Sequence, residues 1–137
     1  MKNVNKALGV RDDRLSDCPG TPNCVCTHAS DDKRRMTPLR FEGDADAAWR
    51  RLKGVLAAMG RMNVVAERDG YLHVEAVSRL FRFVDDVEFL LEREANVIHF
   101  RSASRLGRYD FGANRARMEG IREAFERAMH AAGVAGA

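Results

Sequence analysis

Cys18, Cys24, Cys26 and His28 are the first side chains along the sequence that could do chemistry together. Thiolates and an imidazole suit a tetrahedral zinc or a soft copper ion. Their spacing argues against a metal: the gaps are five, one and one residues, with Pro19 and Pro22 stiffening the longest, whereas structural zinc sites pair ligands two to four residues apart. No metal and no cofactor is therefore expected. A nucleophilic Cys24 needs a base or cation to lower its pKa, and His28 is its only near neighbour of that kind. His73 and His99 would have to approach from elsewhere. The alternative is free thiols in a turn, with Thr21 and Asn23 satisfying local backbone groups.

A denser set lies further on: Arg79, Arg82, Asp85, Asp86, Arg101, Ser102, Ser104, Arg105, Arg108, Asp110, Asn114 and Arg115. The planar forks of arginine suit carboxylate and phosphate groups, and a following helix N-terminus adds donors and a favourable dipole. One reading is a site for an anionic small molecule or for the acidic surface of a partner protein, formed by Arg79, Arg82, Asp85, Asp86, Arg101, Ser102, Arg105, Asp110, Asn114 and Arg115. A second is a purely structural network in which the arginines pair with Asp85, Asp86, Glu88 and Asp110. A third is a small enzyme with Asp85 or Asp86 as general base and the arginines as substrate clamp. Adjacent aspartates on a strand face opposite sides, so they form a dyad only if a bulge turns one of them.

The elements that must position these residues follow from periodicity. Residues 1–35 hold Pro19, Gly20 and Pro22 and no sustained apolar period, and read as an irregular arm; the domain is expected over 36–131, with 132–137 frayed. Met36 to Phe41 is a possible first strand, limited by Pro38 to an edge. Asp44 or Asp46 caps a helix whose Ala48, Trp49, Leu52, Val55, Leu56 and Met59 share a face, with Gly60 as stop.

The period then changes to two. Asn63 to Arg68 turns at Asp69-Gly70 into a strand with Leu72, Val74 and Ala76 inward and Tyr71, His73 and Glu75 outward. The next strand places Phe81, Phe83, Val87, Phe89 and Leu91 inward. Asp85 falls on that apolar side, so either a bulge shifts the register or the aspartate enters a semi-buried site and finds donors. Val97 to Ala103 follows, with Ile98 and Phe100 inward and His99 and Arg101 outward. Asn114 is expected to cap a final helix carrying Met118, Ile121, Phe125 and Met129. The fold expected is α+β, an antiparallel meander of four to five strands with both helices on one face and the other face wet.

Composition limits the function. The chain has 137 residues, 45% of them hydrophobic and 31% charged, as expected of one ordinary globular domain. Its net charge of +3 comes from 23 basic and 20 acidic residues that are interspersed, so nucleic acid is not an expected partner. No apolar run approaches the roughly 20 residues that span a bilayer, and no secretory signal is legible, so a soluble cytoplasmic protein is expected. His73, Glu75 and Glu88 on the outer face suggest a monomer. No phosphate loop, dinucleotide fingerprint, zinc-protease motif or serine elbow is present.

Three stretches stand out together: Cys18-Pro19-Gly20-Thr21-Pro22-Asn23-Cys24-Val25, Ser78 to Phe89 (SRLFRFVDDVEF), and Arg101 to Arg117 (RSASRLGRYDFGANRAR). From about Leu15 to Phe125 the chain resembles the family called domain of unknown function 1499 (DUF1499). The resemblance implies a family and no activity. It implies that Cys18 and Cys24 are the family's two cysteines and, because many relatives look exported, it favours a disulfide between them, which a reducing cytosol disfavours. Cys26 stands where the family more often has serine. The function expected is a noncatalytic binding or accessory module, with the Asp85/Asp86 enzyme and a cysteine-based metal or redox module as alternatives.

Overall fold

A computed structural model describes residues 8–19, 22–78, 82–107, 110 and 112–136. The chain opens with a short hairpin, β1 (Val10–Arg11) and β2 (Arg14–Leu15). Asp12 and Asp13 make its turn at φ of 53° and 58°, a region that aspartate tolerates better than most residues. Then come β3 (Cys24–Cys26), β4 (Leu39–Arg40), α1 (Ala45–Ala58), β5 (Met62–Arg68), β6 (Tyr71–Val77), β7 (Val84–Glu92), β8 (Val97–Ser104) and α2 (Ala113–Gly136).

The main sheet has six strands, five in the order β3-β8-β7-β6-β5 and β4 also paired to β8, and the strand pairings are all antiparallel. The predicted meander is β5 to β8. β3 and β4 lie end to end along the free edge of β8, Cys24 opposite Ala103 and Leu39 opposite Ile98. β4 follows Pro38 directly, in keeping with proline's confinement to strand starts and edges. The part of the arm read as irregular therefore contributes an edge strand, and α2 runs through residues expected to fray.

Side-chain alternation on β6, β7 and β8 builds the core. Leu72, Val74, Val87, Phe89, Ile98 and Phe100 are wholly buried on one face, against Leu52 and Leu56 of α1 and Met118, Ile121 and Phe125 of α2. Asp44 caps α1, its carboxylate accepting from the Ala47 backbone at 3.0 Å. Gly60 is not the left-handed stop; Met59 is the C-cap in extended conformation, and Arg61 takes positive φ (66°). The Asp69-Gly70 hairpin forms with Arg68 opposite Tyr71, and only Gly70 of the pair is left-handed (φ 73°).

Three expectations change. β7 begins at Val84, so Phe83 is not inward but exposed; Ser78 and Phe83 instead close the β6–β7 connection by backbone bonding. Phe81 lies outside the described residues. β7 pairs without a register shift on both sides, so no bulge turns either aspartate. Lastly, the outer face is not wet: Tyr71 and Arg101 are 4% exposed and Glu88 is 0%. The arm folds over it, burying Leu15, Cys26 and Ala29 against Tyr71 in a second small core. These apolar arm residues gain from leaving water only by lying on the sheet. Glu88 therefore carries no argument about an exposed, polar outer face.

Candidate functional site

The two aspartates behave as alternation requires. Asp85 points to the helical face, where Arg117 of α2 meets it at 2.7 Å. The same guanidinium donates to Asn114 Oδ1 (2.7 Å) and Ser102 Oγ (3.1 Å), and Ser102 in turn donates to Asn114 Oδ1 (2.6 Å). Asn114 is not the N-cap. It lies inside the first turn, wholly buried, with Nδ2 donating to Asn23 O, Ser104 Oγ and Asp110 Oδ2. Asp110 is the capping side chain, accepting from the backbone of Gly112 (2.8 Å) and Asn114 (3.1 Å). Burial pushes the Asp110 carboxyl up, but the bonds from Asn114 and Gly112 outweigh it and hold it below its ordinary value. Asp85, Ser102, Asp110 and Asn114 thus form one closed knot joining β7, β8 and α2.

Asp86 points to the other face. Arg105 grips it with two parallel bonds, Nε to Oδ2 and Nη2 to Oδ1, both 2.8 Å, and His73 Nε2 lies 2.7 Å from Oδ1. Burial raises the Asp86 carboxyl, yet the Arg105 and His73 bonds win and bring it to about 2. Arg105 also reaches Glu75 at 2.6 Å. Its donors face three carboxylate oxygens.

Arg101, four residues before Arg105 and on the same face, is different. It is 4% exposed, and no described residue accepts a hydrogen bond from its side chain; its Nε is buried without a partner. The nearest carboxylate is that of Glu88, its cross-strand neighbour, 3.8 Å away. Glu88 has its own orphan, Oε1, while Oε2 accepts from Tyr71 and from the Gly9 backbone, both at 2.6 Å. Burial pushes the Glu88 carboxyl up against the opposing pull of Tyr71, Gly9 and Arg101. Such orphans are uncommon, since an unmade buried hydrogen bond costs about 1–3 kcal/mol.

Arg101 lines a cleft of about 380 Å³ between the arm and the sheet, with Asp17, Cys18, Asn23, Asp86 and Arg105 also on its walls. Cys18 and Cys24 are joined by a disulfide, with Cα atoms 5.7 Å apart. The bond ties the arm to β3 and so sets the cleft's roof. Cys26 is a free thiol with no exposure; burial pushes its pKa to about 11. A thiol reagent is accordingly expected to find no reactive group in the native, unreduced protein and one per chain after unfolding. Three per chain after unfolding would mean that the disulfide is absent.

The remaining predicted residues do not join the cleft. Arg82 is exposed on the β6–β7 connection with φ of 56°. Arg115 donates to Lys33 O at 2.8 Å, away from the aspartates. Arg79 and Arg108 lie outside the described residues. Among the described residues no group of three or more His, Cys, Asp or Glu could hold a metal ion, and no helix is long and apolar enough to cross a membrane. Tyr71 was not foreseen as a site residue, Glu88 was foreseen only as a pairing partner of the arginines, and His73 only as a distant partner for a cysteine. The available signal was Glu88 between Val87 and Phe89, an almost unbroken apolar run of the kind that marks a strand covered on both faces.

His28 belongs to the arm, its ring stacked on His99 with centroids 4.0 Å apart and its Nδ1 accepting from the Leu15 backbone at 3.1 Å. Burial, with the neighbouring His99 and Arg14, lowers its pKa from 6.5 to about 4. The unfolded chain then takes up a proton below pH 6.5 that the folded chain refuses until about pH 4, so this stability is present above 6.5 and lost as pH falls through that window. The urea midpoint should decline from pH 6.5 to 4.5, and His28→Gln should flatten the decline. An unchanged slope in the variant would assign it to other groups.

An antiparallel sheet with two helices on one face and a disulfide-tied arm on the other is an α+β fold. Residues 14–125 match the family described as Protein of unknown function (DUF1499), and the chain belongs to that family. The match spans the knot, the cleft floor and the disulfide. No curated protein and no solved structure matches the chain.

Proposed function

We propose that the chain is a noncatalytic binding module that captures a small anion in the cleft beneath the arm. The observation that carries this is Arg101: a guanidinium 4% exposed, donating to no described residue, on the wall of a cleft of about 380 Å³. A protein gains nothing in stability from a buried arginine without acceptors; an acceptor supplied by a ligand gives it a use. The size is within the range of small-molecule sites and favours a small molecule over the acidic surface of a partner. The enzyme reading has less support, because an Asp86 carboxyl held at about 2 by Arg105 and His73 is a poor base near neutrality, and Asp85 is occupied by Arg117 on the other face. The disulfide favours an oxidising compartment over the cytoplasm.

The test is Arg101→Met. In buffer without added anion its Tm should equal or exceed that of the parent, because an orphan is removed and the Glu88 carboxyl can take a proton. Millimolar acetate, compared with chloride at equal ionic strength, should raise the Tm of the parent and not of the variant. A variant that is destabilised by more than about 2 kcal/mol would mean that Arg101 is structural and would sink the proposal.

A further inference from the structure

Resting on that reading, we infer that the captured anion is an organic monocarboxylate, its carboxylate on Arg101 and its short apolar tail against Pro19, the Cys18–Cys24 disulfide and Ala103. The charges around the cleft select the head group. Arg105 is matched by Asp86 and Glu75, so its charge is already answered. Asp17 adds another carboxylate on the wall, kept below its ordinary pKa by the Ser30 hydroxyl. One guanidinium that hydrogen-bonds to no described residue, opposed only by Glu88 at 3.8 Å, thus faces a rim that is otherwise acidic. A single negative charge is matched; a divalent phosphate or sulfate brings a second charge that meets Asp17 and Asp86. A carboxylate also fits the planar fork with two parallel bonds, as Asp86 does on Arg105. Leu8, Pro19 and Ala103 give the walls apolar surface beyond the head group, which inorganic anions cannot use.

Glu88 couples capture to protons. It faces Arg101 from β8, Tyr71 and His73 from β6, Cys26 from β3 and the Gly9 backbone from the arm. Of these, Arg101 is the cation it directly opposes. An anion that takes over Arg101 leaves Glu88 as a buried carboxylate without a counter-charge, and it answers by protonating. Binding therefore takes up a proton and tightens as pH falls, by at most about tenfold per pH unit.

Calorimetric titration of the full chain with butyrate, formate and inorganic phosphate at pH 5.5, 6.5 and 7.5, in two buffers of different ionisation heat, tests this. Butyrate is expected to bind more tightly than formate, and both more tightly than phosphate, with proton uptake. Arg101→Met should weaken butyrate roughly tenfold to a hundredfold, the range of a lost charge-assisted bond. Glu88→Gln should keep butyrate binding and lose the proton uptake. Ala103→Leu fills the tail wall and should weaken butyrate more than formate, which serves if Arg101→Met does not fold. Phosphate binding tighter than butyrate, or butyrate binding without proton uptake in the parent, overturns this inference and leaves the anion-binding proposal standing. No saturable binding of any of the three overturns both.

Discussion

Arg117→Ala is expected to destabilise the protein by about 3 kcal/mol, a fall of roughly 10 °C in Tm for a chain of this size. Asp85 and Arg117 are 12% and 17% exposed at the side chain and meet at 2.7 Å, so removing the guanidinium leaves a mostly buried carboxylate on the helical face with no cation. The loss also strips a donor from Ser102 and Asn114. The cost arises from the orphan more than from the pair, so Asp85→Leu combined with Arg117→Met should be far closer to the parent than Arg117→Ala alone. Urea denaturation of the three proteins decides it. A loss below about 1 kcal/mol for Arg117→Ala would put the pair in the class of solvated surface bridges.

Asn114→Ala should cost a similar amount, about 3 kcal/mol, although it removes no charge. The amide is wholly buried and touches Asn23, Ser102, Ser104, Asp110 and Arg117. Truncation takes a partner from the Ser102 hydroxyl and leaves an unfilled volume at the start of α2. Because Arg117 and Asn114 share Ser102 and each other, the double variant should lose clearly less than the two single losses added together. Additive losses would mean that the two act independently and that the knot is not one unit. Since Asn114 also holds the Asn23 carbonyl next to the disulfide, the variant should loosen the arm; hydrogen exchange at Cys24 to Cys26 would report it.

The sequence itself was sufficient for the meander, both helices and the α+β class. Period two over β5 to β8, and the 3.6 period of Trp49, Leu52, Val55 and Leu56 and of Met118, Ile121 and Phe125, are written in neighbouring residues, and burial of each stripe leaves one arrangement of helices on sheet. That Asp85 and Asp86 face opposite ways was legible for the same reason. Which residue would cap α2 was not: Asp110 and Asn114 both carry suitable oxygens, and the choice fell to Asp110 because Asn114 is drawn inward to Asn23, Ser102 and Ser104. Those partners lie on other elements.

The outer face was decided only in three dimensions. Alternation marks Tyr71, His73, Glu88 and Arg101 as opposite the core, and polarity then suggests water. What covers them is an arm that has no periodicity of its own, seated by a disulfide, by β3 pairing on β8, and by the burial of Leu15, Cys26 and Ala29. The disulfide joins neighbours six residues apart, but the pairing of β3 on β8 and the contact of Leu15, Cys26 and Ala29 with Tyr71 join residues far apart in the chain, and local pattern carries no trace of them. The same covering turned the arginine cluster into two sites of opposite character. On the helical face both terminal nitrogens of Arg117, the Asn114 amide and the Ser102 hydroxyl meet acceptors within the fold, while beneath the arm Arg101 was moved out of water without being given one. Residue types named a cluster of forked donors; only the tertiary structure could say which fork is left unanswered, because that depends on how many acceptors the fold brings to each.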